Sequence, residues 1–156
     1  LSPPRLRELA LGGLLHDIGK LAVPTEILRK PGALTDEEFE VVKRHPVTGD
    51  ELLRDLGGFS EPVLRLVRHH HERLDGSGYP DGLTEIPLLV QVLSAADMYD
   101  ALTSRRTYRK AVRPEEALEA LEREVREGRL ALEAVRALRS GLRRGASEAE
   151  GHVLHL

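Results

Sequence analysis

Cysteine and tryptophan are absent from this chain, and aromatic residues are scarce: two Phe and three Tyr among 156 residues. Without cysteine there is no disulfide and no thiolate-held metal. Any bound ion must take nitrogen and oxygen donors, which points towards Fe, Mn, Zn or Mg and away from a Cys-built structural zinc. With so few rings, the core has to be assembled from Leu, Val, Ala and Ile, a composition that suits packed helices. Also missing is any apolar run of the roughly 18 residues that cross a bilayer, and no signal peptide is recognisable. The expected location is the cytoplasm. Neither charge sign dominates, with 23 basic against 26 acidic side chains and a net charge of -3. That balance makes no general case for a nucleic-acid polymer or an anionic membrane as partner. A phosphate-bearing ligand would need local positive charge, from a metal or a few placed cations.

The length suits one domain with a full core. The first residue is Leu rather than Met, so the chain reads as part of something longer. Its pattern is helical nearly throughout. Ser2 and Pro3 open a helix whose stripe is Leu6, Leu9, Ala10, Gly13 and Leu14, and Gly19 with Pro24 stops it. The pair His16-Asp17 therefore falls in its last turn. Thr35-Asp36-Glu37-Glu38 reads as a capping box, and Pro46 ends or kinks the helix that follows, right after His45. A further helix carries Leu52, Leu53 and Leu56 and stops at Gly57-Gly58. Ser60 and Pro62 start the next, where Leu64 and Val67 share a face with His71 by the four-residue step. Residues 75–87 hold three glycines and two prolines and form a loop. Residues 88–103 form the most apolar helix, with Asp97 and Asp100 three apart on it. Pro114 opens a helix to about residue 128, and residues 130–138 suggest another. The domain is expected to span residues 1–139, with residues 140–156 a polar, frayed tail.

The densest chemistry lies in His69-His70-His71-Glu72-Arg73-Leu74-Asp75-Gly76-Ser77-Gly78-Tyr79-Pro80. Adjacent histidines rarely serve a core, because each buried imidazole needs a partner or suffers the cost of desolvation. They suit a metal as neutral nitrogen ligands; a solvated His-rich patch is the alternative. His16-Asp17 can both reach one ion only near a helix end, since neighbours on a helix point about 100° apart. Gly19 supplies that end. A carboxylate on the apolar helix at Asp97 would be costly if buried without a cation, so ligation explains it. Asp100 could instead orient a histidine. Lys20 reads on its own as a solvated cation at a helix end, and Arg106 and Arg109 read either as solvated cations or as phosphate contacts through their forked donors. Gly76, Gly78 and Gly82 permit positive φ or close backbone approach, and Tyr79 offers a ring for stacking on a base.

Taken in order, five segments carry a family likeness over about residues 8–113. They are His16-Asp17-Ile18-Gly19-Lys20, Lys30-Pro31-Gly32, His45-Pro46, the His70-to-Pro80 stretch and Asp97-Met98-Tyr99-Asp100-Ala101-Leu102. The series resembles the HD superfamily of metal-dependent phosphohydrolases, and specifically its HD-GYP branch. That resemblance implies an all-α, HD-type bundle of about six or seven helices with a Gly-rich loop. It implies two divalent transition-metal ions, Fe or Mn foremost, with Zn, Mg, Ni or Co open. Their ligands would be His16, Asp17, His45, His70, His71 and Asp97, with Asp17 bridging. Asp17 and Lys20 would carry catalysis, and Lys20, Tyr79, Arg106 and Arg109 would bind substrate. His69 has no counterpart in the family motif.

The implied activity is hydrolysis of cyclic di-GMP to pGpG or GMP. The rival is a weak or inactive module that still binds metal, senses cyclic dinucleotide or docks a diguanylate cyclase (GGDEF) domain through the loop. A homodimer is open. Family members usually carry a further His or Glu ligand on a helix before the His-Asp motif; only Glu8 is available here, at the wrong distance. The family's usual C-terminal Phe-Asp-Pro segment is also missing. The ion on His16, Asp17 and Asp97 is thus expected to be the weaker of two.

Overall fold

The computed structural model describes residues 1–105 and 109–153, with side chains described as far as residue 147. The described residues are helical: α1 (Pro3–Leu15), a 3-10 segment (Ile18–Ala22), a single turn α2 (Thr25–Leu28), α3 (Asp36–Val42), α4 (His45–Leu56), α5 (Glu61–His69), α6 (Leu88–Thr103), α7 (Pro114–Arg126) and α8 (Leu132–Val153). Seven helices of more than one turn agree with the expected all-α bundle.

Helix α6 lies at the centre. Seven consecutive residues, Leu89 to Ala95, are buried, which requires neighbours on every side. Its Leu89, Val90 and Leu93 pack with Leu66 of α5, while Val92 and Ala95 pack with Leu121 of α7 and Ala134 and Val135 of α8. A third cluster joins Leu53 of α4 to Leu64 and Val67 of α5, with Leu15 and Ile18 against it. The buried clusters are entirely aliphatic, as the shortage of rings requires. Truncating a fully buried residue such as Leu66 to Ala should cost roughly 2–5 kcal/mol.

Several helix ends follow their local signals. Thr35 accepts from the Glu38 N–H while the Glu38 carboxylate takes the Thr35 N–H, the reciprocal cap its spacing predicts. Ser2 and Ser60 occupy N-cap positions without a side-chain cap bond. Pro46 does the opposite of what was expected: it opens α4, because a missing N–H costs nothing in a helix's first turn. α3 has already ended at Val42. Helix α5 ends at His69, so His71 lies beyond it and the four-residue step from Val67 does not apply. At the C-terminus α8 continues to Val153, where a frayed tail from Ser140 was expected. The Arg, Ala and Glu residues there favour helix whether or not they bury an apolar face.

Two glycines hold the site together by close approach. A Cβ at Gly19 would fall on the His45 carbonyl oxygen, so only glycine lets the 3-10 segment lie against the start of α4. Gly78 likewise has no room for a Cβ against the backbone of Arg73, Glu72 and His71.

Candidate metal centre

His16 and His70 cap the ends of α1 and α5, and His45 opens α4 three residues past the end of α3; each is fixed in the same way. Nδ1 of His16 donates to the Gly13 carbonyl at 2.6 Å, Nδ1 of His45 to Val42 at 2.7 Å and Nδ1 of His70 to Val67 at 2.8 Å. The partner is the carbonyl three residues back, left orphaned by the ending helix. A carbonyl only accepts, so the proton belongs on Nδ1 and Nε2 is left facing inward as a lone pair when the ring is neutral. His70 is held further by Ser94 on α6, whose Oγ donates to the His70 carbonyl at 2.6 Å. His71 is fixed differently, its ring stacked on Tyr79 with centroids 4.9 Å apart.

These rings and two carboxylates converge. Asp17 presents its two oxygens to different histidines: Oδ2 is 3.3 Å from Nε2 of His16, and Oδ1 is 3.3 Å from Nε2 of His45. Asp97 Oδ1 lies 3.4 Å from His16 Nε2. Two groups have their donor atoms close enough together to share an ion: His45, His70 and His71, and His16, His70 and Asp97. His70 belongs to both groups. Its single free lone pair can serve only one ion at a time.

The donor set fits a metal on the structure's own terms. Nε2 of His45 and Nε2 of His70 face each other at 3.3 Å. With both protons on Nδ1, no hydrogen lies between them, and a shared cation is what satisfies two such lone pairs. The other side makes the same demand. Hydrogen bonds to the Asp17 and Asp97 carboxylates raise His16 from 6.5 to about 10, so in the metal-free chain a proton stands where a cation would. Burial instead pushes His70 down to about 4 and His71 lower still, with repulsion between neighbouring imidazoles adding to it. Burial works against the Asp17 carboxylate, yet the hydrogen bond from protonated His16, with Lys20 nearby, holds it well below the usual range. Asp97 is lowered too, the His16 hydrogen bond outweighing its burial.

A cavity of about 460 Å³ opens above these ligands, lined by His16, Asp17, His45, His71 and Asp97 together with Lys20, Val42, Tyr79 and Asp100. Lys20 is ion-paired to Asp17 Oδ2 at 3.1 Å. Burial raises the Tyr79 hydroxyl to about 12, which keeps it protonated as a donor. Tyr79 does not offer the open ring that was expected, since His71 and the Lys43 ammonium, 5.4 Å from its centroid, already stand over it. Arg109 is exposed and outside the cavity wall, its Nη2 3.5 Å from the carbonyl of cavity-lining Ala101. Arg106 lies outside the described residues. Asp100 accepts from Ser104 Oγ at 3.1 Å, and no bond from it to a histidine is found among the described residues. Glu8 pairs with Arg5 at 3.8 Å and belongs to neither ligand group. His69 turns away to Asp81 at 2.9 Å.

Glu72 is the residue the sequence reading missed. Its buried carboxylate accepts the backbone N–H groups of Asp81, Gly82 and Leu83 at 2.6–3.1 Å, tying down the loop that carries Tyr79. Arg68 secures the same loop from the other side, gripping Asp81 with two donors while also reaching buried Asp50 of α4. The available signal was a Glu directly after the paired histidines and before a Gly-rich segment; what it binds is backbone, which has no sequence letter.

The HD domain family pattern matches residues 1–131. The chain is 51% identical over 120 residues to a cyclic di-GMP phosphodiesterase of Pseudomonas aeruginosa, an alignment covering 76% of this chain and 29% of that protein. It is 43% identical over 126 residues to the 3'3'-cGAMP-specific phosphodiesterase 1 of Vibrio cholerae, covering 80% of this chain and 29% of the relative. The fold superposes on an HDG"Y"P protein from Bdellovibrio bacteriovorus with a TM-score of 0.71 and 27% identity, over 92% of this chain and 45% of that one. The chain thus spans less than a third of these two curated relatives' length. The family match, the ordered His/Asp ligands and the Gly-Tyr-Pro loop lead to one conclusion: this chain belongs to the HD domain family, in its HD-GYP branch.

Proposed function

We propose that this chain hydrolyses a cyclic dinucleotide, cyclic di-GMP first, to pGpG or GMP, using two divalent ions of the Fe or Mn type. The observation that carries this reading is Asp17, whose two oxygens face two different histidines, one from each ligand group, at the base of one open cavity. When bound, a pair of ions supplies an activated water and charge stabilisation for in-line attack at phosphorus. His16, His45, His70, His71 and Asp97 would hold them, with Asp17 between. Lys20 stands at the cavity wall to meet developing charge on the phosphoryl oxygens once Asp17 is engaged elsewhere. Tyr79 would donate a hydrogen bond from its hydroxyl to the substrate. Arg109, and Arg106 by sequence, would contact phosphate from the rim. The Gly-Tyr-Pro loop would face a diguanylate cyclase domain, the setting would be the cytoplasm, and a homodimer is compatible.

A binding-only module is the second reading. It is favoured by the shared His70, which leaves one ion short of protein donors. Purified Mn- or Fe-loaded protein should be assayed for hydrolysis of cyclic di-GMP and of 3'3'-cyclic GMP-AMP, alongside nucleotide binding. Turnover supports the enzyme, and the faster substrate names its preference. Binding without turnover supports the module. Neither would favour an HD phosphohydrolase acting on ordinary nucleotides.

A further inference from the structure

We infer that Phe39 is the platform on which the outer base of the cyclic dinucleotide stacks; this rests on the substrate class proposed above. The chain has two Phe. Phe59 packs against the Leu53, Leu64 and Val67 cluster, whereas Phe39 is 46% exposed. It stands beside the cavity. Val42, one turn later on α3, lines the cavity wall, and the Phe39 ring meets Tyr79 edge to face with centroids 6.4 Å apart.

Size makes an outer platform necessary. The cavity of about 460 Å³ is open to solvent and sits in the lower half of the roughly 300–1,000 Å³ range of small-molecule sites. A ring of two phosphates and two sugars bearing two purines exceeds it. With one phosphate over the histidines, at least one base must project past the rim. Tyr79 is the poorer platform, because His71 already stacks on that ring and the residue is partly buried, whereas Lys43 stands over both rings. Among the described residues, Phe39 is a neighbouring ring with open area.

Its surroundings suit that role. The Lys43 ammonium stands over the Phe39 ring, 5.7 Å from its centroid, and is held by Glu40 at 2.9 Å, so a cation shares the platform. Helix α3 is pinned at its start by the Thr35–Glu38 cap and by Lys30, whose ammonium meets Glu38 at 2.6 Å. The ring is therefore carried by a fixed element. An exposed aromatic face next to a cation binds a purine by stacking, with little demand on base identity.

The test is steady-state hydrolysis of cyclic di-GMP by the Mn-loaded chain with Phe39→Ala, Phe39→Leu and Phe39→Trp. Loss of one stacked base should raise KM roughly 5- to 100-fold in the Ala and Leu variants, with kcat within about twofold and metal content unchanged. Trp should restore the wild-type KM. Leu keeps apolar bulk without a π face, so a Leu variant with wild-type KM overturns stacking, as does an Ala variant with wild-type KM. A wild-type chain that neither binds nor turns over any cyclic dinucleotide overturns the substrate reading and this inference with it. Wild-type turnover with unchanged variants overturns this inference alone.

Discussion

The two sides of the ligand set are built from opposite materials. On one side His45, His70 and His71 form an imidazole group in the interior, His45 and His70 being 2% and 0% exposed. On the other, His16 shares its place with Asp17 and Asp97, whose side chains are 41% and 27% exposed. Burial disfavours charge on His70 and His71, while carboxylates make the second group anionic and hungry for positive charge. Imidazoles suit Fe, Zn or Ni, and carboxylates suit Mn or Mg. A buried neutral cage and an open anionic one should hold their ions with different strength, and His70 cannot complete both.

The largest effect should come from the residue joining the two sides. Asp17→Ala should lower cyclic di-GMP turnover by about a thousandfold or more, since it removes a donor from both ions at once. Lys20→Ala removes one partly exposed cation and should cost only about 10- to 100-fold. If the order were reversed in side-by-side kinetics, the bridging role of Asp17 would fall.

Next comes the buried side itself. Elemental analysis should find about one to two transition-metal ions per chain, and His70→Ala with His71→Ala should remove most of them. Full metal retention in that double variant would remove the imidazole group as the tight site.

The inequality can be read without mutation. During titration with a mild chelator, metal should leave in two phases, the first ion coming from the open carboxylate side. A single phase releasing two equivalent ions would show that shared His70 and unequal exposure do not matter.

The smallest effect concerns the metal-free chain. His70 is lowered by burial to about 4 from 6.5, so the folded state binds fewer protons than the unfolded one in that window; stability falls as pH drops from 6.5 towards 4. His16 is raised by its carboxylates to about 10, so its contribution is complete below 6.5 and is lost as pH rises through 10. Urea midpoints of the metal-free chain should peak near pH 6.5. His16→Asn should flatten the alkaline limb and leave the acid one; loss of both limbs would mean that the two sides do not titrate separately.

Much of the fold was readable because helix signals are local. The Thr35–Glu38 cap, the stop at His16-Asp17 and the bounds of α6 each depend on residues within a turn or two. The errors share a cause as well. Pro46 can close one helix or open the next, and only the packing of the 3-10 segment against α4 through Gly19 decides which. Likewise, the composition of residues 140–153 permits helix or fraying, and the chain continues α8.

By itself, the sequence determined which chemistry is available: nitrogen and oxygen donors, no thiolate, an aliphatic helical core, and six ligand-type residues in a recognisable order. Those facts depend on residue type and on short spacings. The tertiary structure alone decided the pairing of those donors. It turned the two Asp17 oxygens towards different histidines, placed the His45 and His70 lone pairs 3.3 Å apart, gave His70 to both groups, and spent Glu72 on the loop backbone. Apart from the adjacent His16–Asp17 and His70–His71 pairs, these are relations between residues 25 or more apart in chain, or between a side chain and backbone amides. Helix packing fixes them, and no local pattern encodes them.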